Sequence, residues 1–140
     1  MIVESVELKD YRNYEFLDMN FNEHVNIIYG DNAQGKTNIL ESIYMCSTSK
    51  SHRGSKDREI VRFGEDESHI KLNVLKHGMK YRIDMHLKKN KTKGIAVNGI
   101  PIKKAVELFI QQPSYKLGYP DSNQKRQDQN LQCYHYTISQ

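Results

Sequence analysis

The sequence predicts an α/β fold, and three observations carry the prediction. A short β-rich apolar run, Val25-Asn26-Ile27-Ile28-Tyr29, stops at Gly30. Thr37 to Ser49 then carries Ile39, Leu40, Ile43 and Tyr44 at helical spacing. From Ser68 to Lys76, Ile70, Leu72 and Val74 alternate with polar residues at the two-residue period of a half-buried strand, and strand readings return over Lys80 to Leu87 and Gly94 to Val97. Together they describe a mixed sheet holding a strand–loop–helix unit, with an antiparallel β-meander beside it.

The elements follow in chain order. Ile2 to Leu8 alternates with one irregularity and reads as a half-buried strand, closed by the polar corner Lys9 to Tyr14. Phe16, Leu17, Met19 and Phe21 suggest a second strand, antiparallel to the first because the connection is short. Val25 to Tyr29 fits a buried strand of a mixed or parallel sheet. In the helix that follows, Ile39, Leu40, Ile43 and Tyr44 share one face, which places Glu41 on the solvent side. Arg58 to Phe63 suggests a helical turn. Ser68 to Lys76 and Lys80 to Leu87 read as strands joined at His77-Gly78, and Lys88 to Lys93 as a basic tip. Gly94 to Val97 is a short strand ended by Asn98-Gly99, the strongest hairpin signal in the chain. Pro101 leads to a short helix expected over Lys103 to Phe109.

Past Ile110 the character changes. Residues 111–140 contain seven glutamines, and their aliphatic residues are Leu117, Leu131 and Ile138. Such a segment buries too little apolar surface to offset its ordering entropy, so a largely disordered tail is expected. The domain reading is therefore residues 1–109 as one incomplete domain and 110–140 as a divergent tail.

Composition narrows the function classes. The 140 residues are 37% hydrophobic and 27% charged, with a net charge of +4, which suits a soluble and mildly basic domain. No run approaches the roughly 18 apolar residues that span a bilayer, and Met1 to Ser5 lacks a secretory pattern. No membrane partner and a cytoplasmic location are expected. Cys46 and Cys133 lie far apart without C-x-x-C spacing, and the six histidines show no ligand-like pairing.

One motif carries chemistry. Gly30-Asp31-Asn32-Ala33-Gln34-Gly35-Lys36-Thr37 matches G-x-x-x-x-G-K-[ST]. A loop of this size wraps a phosphate with backbone N–H groups, and its glycines allow approaches that a Cβ would block. Lys36 reaches the β- and γ-phosphates as a point charge, the Thr37 hydroxyl is placed to ligate Mg²⁺, and the helix aims its positive end at the phosphates. All eight residues, Gly30 to Thr37, are thus candidate ligands of ATP–Mg²⁺. A chance match in so short a chain is on the order of one percent at average glycine usage.

The run Ile28 to Asn38 (I-Y-G-D-N-A-Q-G-K-T-N), the corner Leu8-Lys9-Asp10-Tyr11-Arg12-Asn13-Tyr14, Ser51-His52-Arg53, Asp57-Arg58-Glu59 and Val97-Asn98-Gly99 with Pro101 together resemble the RecF family. That family belongs to the SMC-like branch of ABC-type ATPases, and the resemblance covers about residues 1–109. It implies the N-terminal lobe of a P-loop NTPase head, ATP-dependent binding of single-stranded or gapped DNA, RecO and RecR as partners, and an ATP-dependent homodimer of the full-length protein. It also implies a role in DNA replication, repair and the SOS response. Carried over by position, Arg12 and Asn13 lie at the base or ribose side of ATP; a solvated turn is the competing reading. His52 and Arg53 line the nucleotide or DNA face, or an exposed polar loop. Lys88, Lys89, Lys91 and Lys93 neutralise DNA phosphates, or form a solvated tip.

The chain also departs from the family. ATP hydrolysis needs an acidic segment behind an apolar run, and Ile83-Asp84 sits instead in an alternating strand. The family's signature loop is missing as well, and Ile110-Gln111-Gln112-Pro113-Ser114-Tyr115 does not continue the pattern. The expectation is a truncated or frame-disrupted product without catalytic residues of its own. Two other classes compete: a basic fragment that binds nucleic acid or partners without nucleotide, and a stand-alone P-loop GTPase or kinase, for which no N-K-x-D motif is present.

Overall fold

The computed structural model describes residues 1–30 and 35–103. Asp31 to Gln34, most of the helix expected over Lys103 to Phe109, and the tail from 110 lie outside the described residues.

Among the described residues the architecture is a sheet with α1 packed on one face. β1 (Ile2–Tyr11), β2 (Tyr14–Asn20), β3 (Glu67–Lys76), β4 (Met79–Lys88), β5 (Gly94–Val97) and β6 (Ile100–Pro101) form a six-stranded sheet in the order β2-β1-β3-β4-β5-β6. Every pairing in it is antiparallel. Helix α1 (Lys36–Thr48) and the single turn α2 (Asp57–Ile60) follow the loop between β2 and β3. Val6, Leu8, Ile70, Leu72, Val74, Ile83, Met85 and Leu87 point into the core, where Ile39, Ile43, Met45 and Cys46 of α1 meet them. Fully burying each such aliphatic side chain contributes roughly 1.5–3 kcal/mol.

β1 explains its own irregularity. Val3, Val6, Leu8 and Tyr11 are all buried, a spacing that strict alternation forbids. The strand resets its phase twice. Its register against β3 shifts between Val3 and Ser5, and Asp10 adopts the left-handed φ of 51° just before Tyr11 turns inward. The two hairpin turns expected from sequence are present. His77-Gly78 (φ 51° and 76°) and Asn98-Gly99 (φ 51° and 82°) each place two successive residues at positive φ, the geometry that matches strand twist. The Asn98 side chain extends the second turn by accepting a hydrogen bond from the Arg82 N–H at 2.8 Å.

Two expectations are corrected. Val25 to Tyr29 is not a buried strand: it contributes a single bridge residue at Ile27, and Val25, Ile27 and Tyr29 are 53%, 57% and 79% exposed. Its composition suits an interior strand, but no described strand lies beside it. On α1 the inward face is Ile39, Ser42, Ile43, Met45 and Cys46, while Tyr44 is exposed and Glu41 is fully buried. Among the described residues, no helix is long and apolar enough to cross a membrane.

Candidate nucleotide-binding site

The site is built where the β1–β2 turn, the end of the glycine loop and the start of α1 converge. Gly35 caps α1 with φ 96°, and its carbonyl accepts hydrogen bonds from the N–H groups of Asn38 (2.8 Å) and Ile39 (3.2 Å). A Cβ on Gly35 would lie 2.6 Å from both Asn13 Oδ1 and Tyr14 OH, so the turn rests directly on this glycine. Asn13 Oδ1 also accepts a 2.8 Å hydrogen bond from Asn38 Nδ2. The glycine is thus required twice, for its φ and for the space.

Lys36 is only 8% exposed, and its ammonium donates to the Gly30 carbonyl at 2.5 Å, bridging the two ends of the loop. The first turn of α1 holds no acidic side chain, so none offsets the partial positive charge of its N-terminus. Thr37 follows within that turn. Gly30 and Lys36 are thus in contact, and Gly35 and Thr37 flank Lys36 at the start of α1; Asp31, Asn32, Ala33 and Gln34 lie outside the described residues.

Arg12 is engaged differently from Asn13. It adopts φ 53° and binds the Glu41 carboxylate twice, Nη2 to Oε1 at 2.7 Å and Nε to Oε2 at 2.9 Å. It also donates to Ser55 Oγ (2.8 Å) and to the Glu59 carbonyl (3.0 Å). Tyr11 OH and Ser51 Oγ donate to the same carboxylate at 3.2 and 2.5 Å. Burial by itself would raise the Glu41 pKa, but the hydrogen bonds from Arg12 and Ser51, with the Arg12 and Arg53 charges, outweigh it and hold the carboxylate below its usual range. Arg12 loses by burial as well, and Glu41 more than compensates, raising its pKa. Tyr11 is pushed up by burial and by the neighbouring carboxylate. Two backbone bonds, Arg12 N–H to the Ile60 carbonyl and Arg62 N–H to the Asp10 carbonyl (both 2.8 Å), lock α2 against the end of β1.

The remaining candidates are dispersed. His52 and Arg53 are exposed after α1, with His52 edge-on to Tyr44 at 5.6 Å. In the basic tip, Lys93 pairs with Asp57 (2.9 Å) and Lys88 lies 3.7 Å from Glu67. Lys89 joins Arg12, Asn13, Arg58, Val61 and Phe63 around an open groove beside the β1–β2 turn, where Phe63 is 100% exposed. Sequence reasoning missed Glu41, and it missed a cluster of Glu67, His69 and His86 on the polar sheet face. Contrary to the expectation of unpaired histidines, His69 and His86 stack at 4.0 Å. They sit equally far from the His77-Gly78 turn, so counting back along the hairpin finds the pair.

The family model of the AAA domain matches residues 5–139. A DNA replication and repair protein RecF of Lachnospira eligens is 99% identical over 109 residues, which are 78% of this chain and 30% of that protein. The chain belongs to the AAA-domain family, and over these 109 residues it is similar to RecF. RecF of Agathobacter rectalis is 62% identical over the same 109-residue length, again 78% of this chain and 30% of the relative. The chain thus spans about 30% of the length of the curated RecF proteins it matches. Among solved structures, the recombination mediator protein RecF-ATP of the RecFOR pathway superposes with a TM-score of 0.70 at 36% identity, covering 76% of this chain and 30% of that one. An SMC head domain from Thermotoga maritima superposes with a TM-score of 0.64 at 19% identity, covering 77% and 41%, and shares the fold. The RecF and SMC heads give this sheet and helix the architecture of a P-loop NTPase lobe.

Proposed function

We propose that this chain is the ATP-binding part of a RecF-type DNA replication and repair protein. The observation that carries the reading is Lys36: a nearly buried ammonium held across the loop at the Gly30 carbonyl, at the start of a helix with no acidic first turn. A phosphate oxygen can replace that carbonyl as the acceptor. The neighbouring surroundings fit a triphosphate, because the backbone at Gly35 is kept free of a Cβ and positive charge meets N–H groups there. The likeness to a RecF bound to ATP supports adenine over other nucleotides.

On this reading the loop Gly30 to Thr37 holds the phosphates, with Lys36 on the β- and γ-phosphates. Thr37 supplies a hydroxyl to Mg²⁺, which would neutralise phosphate charge. Asn13, which packs on Gly35, faces the ligand. Arg12, whose donors are committed to Glu41, Ser55 and Glu59, acts by fixing the turn that presents Asn13. The groove bordered by Arg58, Phe63 and Lys89 is the place we assign to the base or ribose.

The wider reading rests on the likeness to RecF: ATP-dependent binding of single-stranded or gapped DNA, work beside RecO and RecR, ATP-dependent homodimerisation of the full-length protein, and an SOS-linked role in the cytoplasm. The basic tip contributes Lys91 to DNA phosphates, since Lys88 and Lys93 already face carboxylates and Lys89 borders the groove. We further assign residues 1–109 to the head and 110–140 to a separate segment; the 109-residue extent of the RecF match supports this, whereas the AAA match runs on to residue 139.

Thermal unfolding with and without Mg²⁺-ATP tests the binding reading. ATP raises the midpoint of the parent chain and leaves Lys36→Ala unmoved. Equal response, or none in either, favours the nucleotide-independent basic fragment.

A further inference from the structure

We propose that Glu67, His69 and His86 form a binding site for a divalent transition metal of the zinc type, on the sheet face opposite α1. The placement follows from the hairpin. His69 of β3 and His86 of β4 are direct cross-strand partners, and Glu67 lies two residues before His69. Strand alternation sends Ser68, Ile70, Met85 and Leu87 into the core, so these three side chains share the outer face. One ligand atom from each comes within 4.8 Å of the other two. A tetrahedral zinc shell with bonds near 2.1 Å sets its ligands roughly 3.3–3.5 Å apart, so small side-chain rotations close the site.

The donors are already drawn together. His86 Nε2 is hydrogen-bonded to Glu67 Oε2, and the two imidazoles stack with planes 22° apart. Two imidazoles and one carboxylate favour Zn²⁺, Cu²⁺ or Ni²⁺ over Mg²⁺ or Ca²⁺, which prefer all-oxygen shells. Three protein ligands leave a fourth position for water or an incoming ligand. Lys88, 3.7 Å from Glu67, is the cation that the metal displaces from this carboxylate. A metal here staples β3 to β4 on the face opposite α1, whose start carries Lys36 and Thr37.

A hydrogen-bonded His–Glu pair with a stacked neighbour also accounts for the contacts without a metal, and the test separates the two. Co²⁺, and then Zn²⁺ displacing it, is titrated into the whole chain while visible absorption is followed. One equivalent is expected, weakened at least about tenfold by His69→Ala, His86→Ala or Glu67→Ala, since even supporting residues cost 10–100-fold in affinity. His24→Ala, at an exposed histidine elsewhere, leaves binding unchanged. Imidazole NMR of the parent chain needs no variant: Zn²⁺ shifts two of the six histidines. No binding by the parent, affinity unchanged in the three variants, or shifts at other histidines overturns the proposal.

Discussion

Arg12 and Glu41 are joined by two hydrogen bonds of 2.7 and 2.9 Å between a turn residue and a helix residue 29 positions later. The carboxylate is fully buried, and the Arg12 side chain is 17% exposed. The pair therefore fixes where the β1–β2 turn sits over the start of α1. Removing one partner strands the other charge in the protein. Glu41→Ala is expected to cost about 3–5 kcal/mol in urea unfolding, whereas the double variant Arg12→Met/Glu41→Leu costs less than that single change. A double variant as unstable as the single one would show that the charges themselves, not the stranded partner, carry the stability.

The same pair gives an acid limb to stability. Glu41 titrates below its ordinary value of 4.5 in the folded chain, so the unfolded state binds its proton first as pH falls. Its contribution is fully present above about pH 4.5 and is lost as pH drops through the lowered folded pKa. Unfolding free energy measured from pH 6 to pH 3 should fall more steeply for the parent than for Glu41→Gln. Parallel curves would contradict this.

At Gly35, φ of 96° and the 2.6 Å approaches to Asn13 and Tyr14 act together. Gly35→Ala should abolish retention on immobilised ATP. Asn13→Gly in the same chain relieves the contact with the amide but neither the equally close Tyr14 hydroxyl nor the backbone strain of about 1–2 kcal/mol, and it removes a group placed at the ligand, so it does not restore full binding. Full restoration would mean that the Asn13 contact alone requires the glycine and that Asn13 does not act on the ligand.

Cys46 is buried in the core, and desolvation pushes its thiol from 9.0 up to about 12. That rise lowers the thiolate fraction near neutral pH about a thousandfold. Iodoacetamide should leave the Cys46 peptide unmodified in native buffer and label it fully in urea, as read by mass spectrometry. Rapid native labelling would show that α1 does not stay docked.

Much of the fold was legible because it is local. Alternation marked β1, β3 and β4, apolar clustering marked β2, and the dipeptides His77-Gly78 and Asn98-Gly99 marked both tight turns. The strand–loop–helix motif located Lys36 and Gly35. What escaped depends on residues distant in sequence. Helical spacing sent Glu41 to solvent, since it cannot register a guanidinium arriving from the β1–β2 turn. Val25 to Tyr29 has the composition of an interior strand, but burial is decided by neighbours that no local pattern encodes. The contact between His69 and His86 was encoded in the hairpin register, yet it is visible only when both strands are counted from their turn.

The central claim is that the Gly30–Thr37 loop holds a nucleotide through Lys36. Fluorescence anisotropy of a labelled ATP analogue with Mg²⁺, titrated with the parent chain and with Lys36→Ala, tests it most directly. Saturable binding by the parent, displaced by unlabelled ATP and lost in Lys36→Ala, is the predicted result. Equal binding by both chains, or none by a parent chain whose circular dichroism shows the folded sheet, would contradict it.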